Sequence, residues 1–156
     1  MRLSSILALA VVPLVLACGS RRIPGTEIKD NRDTRAIVAV IGQYRTAAEK
    51  RDAAAVMALV SKQYFDDAGT PDPGDDVDYA QLRRRISDDY AKVTALKLEL
   101  GVKGIDVADD TAAAYVFYDE HYRIATRAGE VAKQASDSHR MRFVREDGAW
   151  KFVSGL

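Results

Sequence analysis

From Ile37 onward the apolar positions recur at helical spacing. Ile37, Val40, Ile41, Tyr44 and Ala48 follow the i, i+3, i+4 rule and form one stripe for a helix to bury. Asp52 is placed to cap a second helix, whose apolar face carries Ala53, Val56, Met57 and Val60. Gly69, Pro71, Pro73 and Gly74 break any regular element between Asp66 and Asp78, so that stretch reads as a loop. Asp78 and Gln81 match the two halves of a capping box that opens a third helix, with Leu82, Ile86, Tyr90 and Val93 turned inward. The run Arg83-Arg84-Arg85 is a solvated face, because Arg84 and Arg85 each have an aspartate four residues on, Asp88 and Asp89.

After Val93 the period drops to two. Leu96, Leu98, Leu100 and Val102 alternate with polar or small residues, and Gly101 with Gly104 marks a bulge. A long strand is predicted from about Thr111 to Thr126, a turn at Arg127 to Glu130, and a second long strand from Ala132 to Arg145. Glu146-Asp147-Gly148 turns again, and Trp150 to Ser154 closes the sheet. Three helices followed by a four-stranded antiparallel meander predict an α+β fold.

The register of the long hairpin decides which side chains meet. A three-residue loop at Ala128-Gly129-Glu130 pairs Tyr115 with Phe143, Phe117 with Met141, Asp119 with His139 and His121 with Asp137. A two-residue loop pairs Val116 with Met141 and Tyr118 with His139, and turns the opposite face inward. The first register is preferred because it matches apolar with apolar and charged with charged partners. Under it, Asp119 would orient His139 for proton transfer and raise its pKa. The plainer reading of the same residues is a pair of half-exposed cross-strand ion pairs.

The start of the chain carries a different signal. Arg2 precedes an uncharged run from Leu3 to Ala17, interrupted at Pro13 and shorter than the roughly 20 residues a membrane-spanning helix needs. Val15-Leu16-Ala17-Cys18 ends that run at the single cysteine of the chain. These four residues resemble the lipobox of bacterial lipoproteins, which implies a signal peptide over 1–17 and a lipid on Cys18. Gly19 and Ser20, with no Asp in second place, imply sorting to the outer membrane if the host has two membranes. Residues 18–30 then read as a lipid-anchored tether and 31–156 as the domain. A single cysteine makes no internal disulfide.

Lys plus Arg and Asp plus Glu balance at 23 each, which argues against nucleic acid as a partner. The aspartates of the 66–78 loop miss the spacing of an EF-hand, and two histidines are too few for a zinc centre, so no metal is expected. No phosphate-cradling glycine loop or nucleophile elbow is present, and no cofactor is expected.

The element order, with the closing run Arg145-Glu146-Asp147-Gly148-Ala149-Trp150-Lys151-Phe152-Val153, resembles the nuclear transport factor two-like superfamily, which includes ketosteroid isomerase and scytalone dehydratase. The resemblance implies a cone: a curved antiparallel sheet of about four strands wrapped round three N-terminal helices, with a pocket at its mouth. It also implies a possible homodimer through the outer sheet face. The expected function is a lipid-anchored envelope protein that binds a small apolar ligand or a protein partner without catalysis. Candidate ligand-binding residues are Tyr44, Tyr115, Phe117, His121, Met141 and Trp150. The alternatives are an isomerase or dehydratase using Asp119 and His139, and an envelope scaffold docking through outward apolar residues such as Val116 and Tyr118.

Overall fold

The computed structural model describes residues 21–156. Helix α1 (Arg32–Glu49) starts at a capping box built by Asn31 and Thr34, and buries Ile37 and Ile41 of the expected stripe. Asp52 caps α2 (Ala53–Ala58) through the Ala55 amide. Helix α3 (Tyr79–Lys92) opens with the Asp78–Gln81 capping box that its sequence announces. Val93 departs from expectation. It is not the last inward position of α3 but its extended C-cap and the first residue of the next strand.

The loop between the second and third helices is closed at its base by two short strands, β1 (Phe65–Asp66) and β2 (Val77–Asp78), which pair antiparallel. The main sheet is a four-stranded meander in chain order: β3 (Val93–Ala108), β4 (Thr111–Thr126), β5 (Gly129–Glu146) and β6 (Ala149–Ser154). The expected bulge is present, with the β3–β4 register shifting between Val102 and Gly104. Asp147 and Gly148 both take positive φ, which makes the tight two-residue turn into β6. In the stretch expected as a tether, Arg22 and Lys29 form an isolated antiparallel bridge and Ile28 is buried. Cys18 and the leader lie outside the described residues.

The hairpin register departs from both expected pairings, but its phase is that of the two-residue alternative, with Val116 and Tyr118 inward. Thr126 pairs with Gly129, so β4 and β5 residues match as Val116 with His139, Tyr118 with Asp137 and Asp119 with Ser136. Gly129 supplies the positive φ, and the Thr126 hydroxyl donates to the Gly129 carbonyl and accepts from the Ala128 amide. These bonds hold the turn at Arg127-Ala128, one residue earlier than the preferred three-residue loop places it. The inward phase of β4 is therefore Ala112, Ala114, Val116, Tyr118 and Glu120, while Tyr115 and Phe117 are 44% and 40% exposed on the outer face. Small residues on β4 leave room for the bulky Met141 and Phe143 of β5 to meet the helices.

The core lies between that inner face and the helices. Phe143 and Phe152 are sealed with ring centroids 4.7 Å apart, and Tyr44 meets Phe152 edge-on at 5.6 Å. Chain segment 59–61 fastens α2 to β6: the Ser61 amide donates to the Phe152 carbonyl, and the Phe152 amide to that of Leu59. Ser61, fully buried, donates its hydroxyl to Glu146 at 2.5 Å. Among the described residues, no helix is long and apolar enough to cross a membrane.

Candidate functional site

Below the packed core, toward the hairpin tips, the helices and the curved sheet separate. They leave an open cavity of about 880 Å³ lined from α1, α3, β3, β4, β5 and the 66–69 segment. Its apolar wall comes from the alternating face of β3, Leu96, Leu98 and Leu100, joined by Ile86 of α3 and Met141 of β5. Its polar groups are of a different kind. Tyr44, Tyr90, Tyr118 and Tyr122 line it, together with Glu120 and His139.

Burial governs how these groups ionise. Tyr44 sits on the buried stripe of α1, and desolvation drives its phenol far above the usual range, with Tyr90, Glu120, Tyr64 and Tyr118 adding smaller repulsions. Tyr90 is pushed up to about 12, by burial first and by Glu120 second. Tyr118 is raised by burial, then by Asp137 and Glu120. The Glu120 carboxyl is raised by desolvation, and among the described residues no basic side chain forms an ion pair with it. His139 is pushed down by burial, against the opposing pull of Asp137, Asp66 and the Gly155 backbone. Its Nε2 is sealed from solvent without a hydrogen-bond partner, and its ring lies 5.2 Å from that of Tyr118. At the cavity edge Asp66 accepts from the Gly155 amide at 2.6 Å and from the Tyr64 hydroxyl at 3.3 Å.

The expected Asp119–His139 pair is not formed. The register places Asp119 on the outer face and His139 on the inner one, so the sheet itself separates them. Asp119 instead meets His121 along its own strand at 3.2 Å and accepts from Gln134 at 3.2 Å, all on the outside. His121 is likewise outward, and the expected His121–Asp137 pair is replaced by His121 opposite Gln134. Of the expected ligand-binding residues, Tyr44 and Met141 line the cavity. Tyr115 and Phe117 face outward. Trp150 is packed in the core with the Arg145 guanidinium 4.5 Å over its ring. Val116 is buried and Tyr118 points inward, so neither is available on the outer face for docking. Glu120 and Tyr122 are cavity residues that the preferred register hid, and Tyr90 is an inward position of α3 absent from the expected site residues. The spacing Tyr118-x-Glu120-x-Tyr122 was the available signal, since period two puts all three on one face. Among the described residues, no group of three or more His, Cys, Asp or Glu side chains is arranged to hold a metal ion.

A family model described as the SnoaL-like domain matches residues 37–155. No curated protein matches the chain. Among solved structures it is similar to a conserved protein from Planctomyces limnophilus, at 15% identity over 78% of this chain and 91% of that one, with a TM-score of 0.66. It is similar to a candidate scytalone dehydratase from Novosphingobium aromaticivorans, at 14% identity over 78% of this chain and 79% of that one, with a TM-score of 0.66. A ketosteroid isomerase-like protein from Erwinia carotovora atroseptica matches at 18% identity over 80% of this chain and 93% of that one, with a TM-score of 0.62. At these identities the likeness shows the fold alone: the nuclear transport factor two-like cone, which serves enzymes and binding modules alike.

Proposed function

The chain belongs to the SnoaL-like domain family, and we propose that it binds one small organic molecule in its cone, at the cell envelope, without turning it over. The observation that carries this reading is the open cavity of about 880 Å³, within the size range of small-molecule sites and lined by a leucine wall with a few converging polar groups. A filled cone would favour a scaffold. The envelope address rests on Val15-Leu16-Ala17-Cys18 and on the lipid that such a motif places on cysteine. Tyr115 and Phe117, exposed side by side in phase on the outer sheet face, support a homodimer through that face.

Native mass spectrometry of a version beginning at Gly19 and exported to the periplasm tests the reading. A retained adduct of small-molecule mass, lost when Leu98→Trp narrows the cavity, is the expected result. A bare mass that stays bare across extracts of envelope metabolites would overturn it.

A second reading is favoured by one specific observation. Glu120 is a carboxyl in desolvating surroundings among phenols, and such a group is suited to take and return a proton. If the cone is catalytic, Glu120→Gln abolishes turnover of the retained molecule while the domain stays folded. Turnover that survives this change removes Glu120 from the chemistry.

A further inference from the structure

The binding reading leaves the chemical class of the ligand open, and the charges inside the cavity narrow it. Among the described residues, no basic side chain forms an ion pair with Glu120, and nothing pulls its carboxyl back toward the ionised form. The basic residues at the cavity are otherwise placed. Arg140 and Arg142 belong to the outward phase of β5, opposite Tyr115 and Ala113. Lys92, at the end of α3, is exposed and lies 3.7 Å from Asp89. His139 is held toward its neutral form. Tyr44, Tyr90, Tyr118 and Tyr122 line the same cavity as Glu120, contributed by two helices and one strand. An aromatic face carries a negative quadrupole that attracts cations, and it does so most strongly where water is excluded.

We propose that the cavity takes an organic cation, an ammonium group on an apolar body, with the ammonium held by Glu120 and the tyrosine faces of the cavity. Leu96, Leu98 and Leu100 receive the apolar body. A neutral ligand leaves the Glu120 carboxyl unpartnered, and an anion meets it as a like charge. A cation supplies the counter-charge that no basic side chain among the described residues supplies to Glu120. The inference rests on the reading that the cone binds a small molecule.

Three probes of similar bulk test it by calorimetric titration of the full chain in lipid nanodiscs, with empty nanodiscs subtracted: phenyltrimethylammonium, its neutral isostere tert-butylbenzene, and benzoate. The expected result is that the cation binds at least about tenfold tighter than the isostere and that benzoate does not bind. Glu120→Gln reduces the preference to about twofold, chiefly through loss of cation affinity. Tyr118→Leu lowers cation affinity more than affinity for tert-butylbenzene. Equal or tighter binding of tert-butylbenzene or benzoate overturns the ammonium assignment while the binding reading stands. Failure of all three to bind the wild-type chain overturns both. A cation preference that persists in Glu120→Gln shows that Glu120 does not hold the ammonium, and overturns the proposal as stated.

Discussion

Replacing Val116 or its neighbour Phe117 by aspartate reads the phase of β4 directly, and the phase decides which residues can touch a ligand. Val116 is 1% exposed and sits in the core cluster beneath the helices. Removing its side chain forfeits about 1.5–3 kcal/mol of apolar burial, and an aspartic acid there, protonated or not, finds no partner and costs about 1–3 kcal/mol more. The total of about 2.5–6 kcal/mol is a large part of the 5–15 kcal/mol that ordinarily holds a domain together. For a domain of this size that corresponds to a fall in Tm of about 10–25 °C. Phe117→Asp, at a position 40% exposed, costs about 1 kcal/mol, chiefly in strand propensity. Thermal unfolding followed by circular dichroism, at two protein concentrations so that any dimer contribution is visible, separates the two. If Phe117→Asp unfolds the domain and Val116→Asp does not, the opposite face of β4 points inward, and with it Asp119 and His121 return to the cone.

Glu120 binds its proton more tightly folded than unfolded, so stability falls as pH rises from its ordinary value near 4.5 through the raised folded value; Glu120→Gln is therefore more stable than wild type at neutral pH, and urea titrations show the difference vanishing below about pH 4. Arg145 ties three elements together, contacting Asp33 of α1 at 2.9 Å, Asp110 in the β3–β4 turn at 3.2 Å and the Trp150 ring. At 27% side-chain exposure, its replacement by Met costs about 1–2 kcal/mol, measurable as a shift in the urea midpoint. Cys18→Ser moves the chain from the membrane to the soluble fraction and abolishes palmitate labelling; membrane retention without label would place the anchor elsewhere. Tyr115→Glu converts a dimer to a monomer in sedimentation velocity, whereas a wild-type chain that sediments as a monomer removes the outer-face contact.

The helical half of the fold was legible because its signals are local. Asp52 and Asp78 cap where side-chain chemistry requires a cap, and Ile37, Ile41 and Leu82 are buried where their spacing puts them. The cavity residues of the helices, Tyr44 and Tyr90, were accordingly found on the inward stripes. The strand half carried the right elements and the wrong phase. Tyr115 and Phe117 look like core residues when judged by hydrophobicity, and Ala112 and Ala114 look like fillers. The packing inverts this, because the bulk facing the helices is supplied from β5 and β6 by Met141, Phe143, Trp150 and Phe152. No pattern within β4 records what its neighbours contribute, and the turn that sets the register is decided by two hydrogen bonds of the Thr126 hydroxyl.

The same inversion explains why the polar site was misplaced as a unit rather than residue by residue. A strand has two faces, and each face of β4 carries a plausible set: Tyr115, Phe117, Asp119 and His121 on one, Tyr118, Glu120 and Tyr122 on the other. The first set pairs charge with charge, which makes it look like chemistry. Yet a paired acid and base are also what a solvated face requires, and Asp119, His121 and Gln134 satisfy one another there. The second set leaves a carboxyl unpaired among aromatic rings, which a solvated face does not require. An unpaired buried carboxyl costs stability on its own. Its presence at the cavity wall, with the basic residues of the described lining turned outward or engaged at the rim, is the feature on which the proposed organic cation rests.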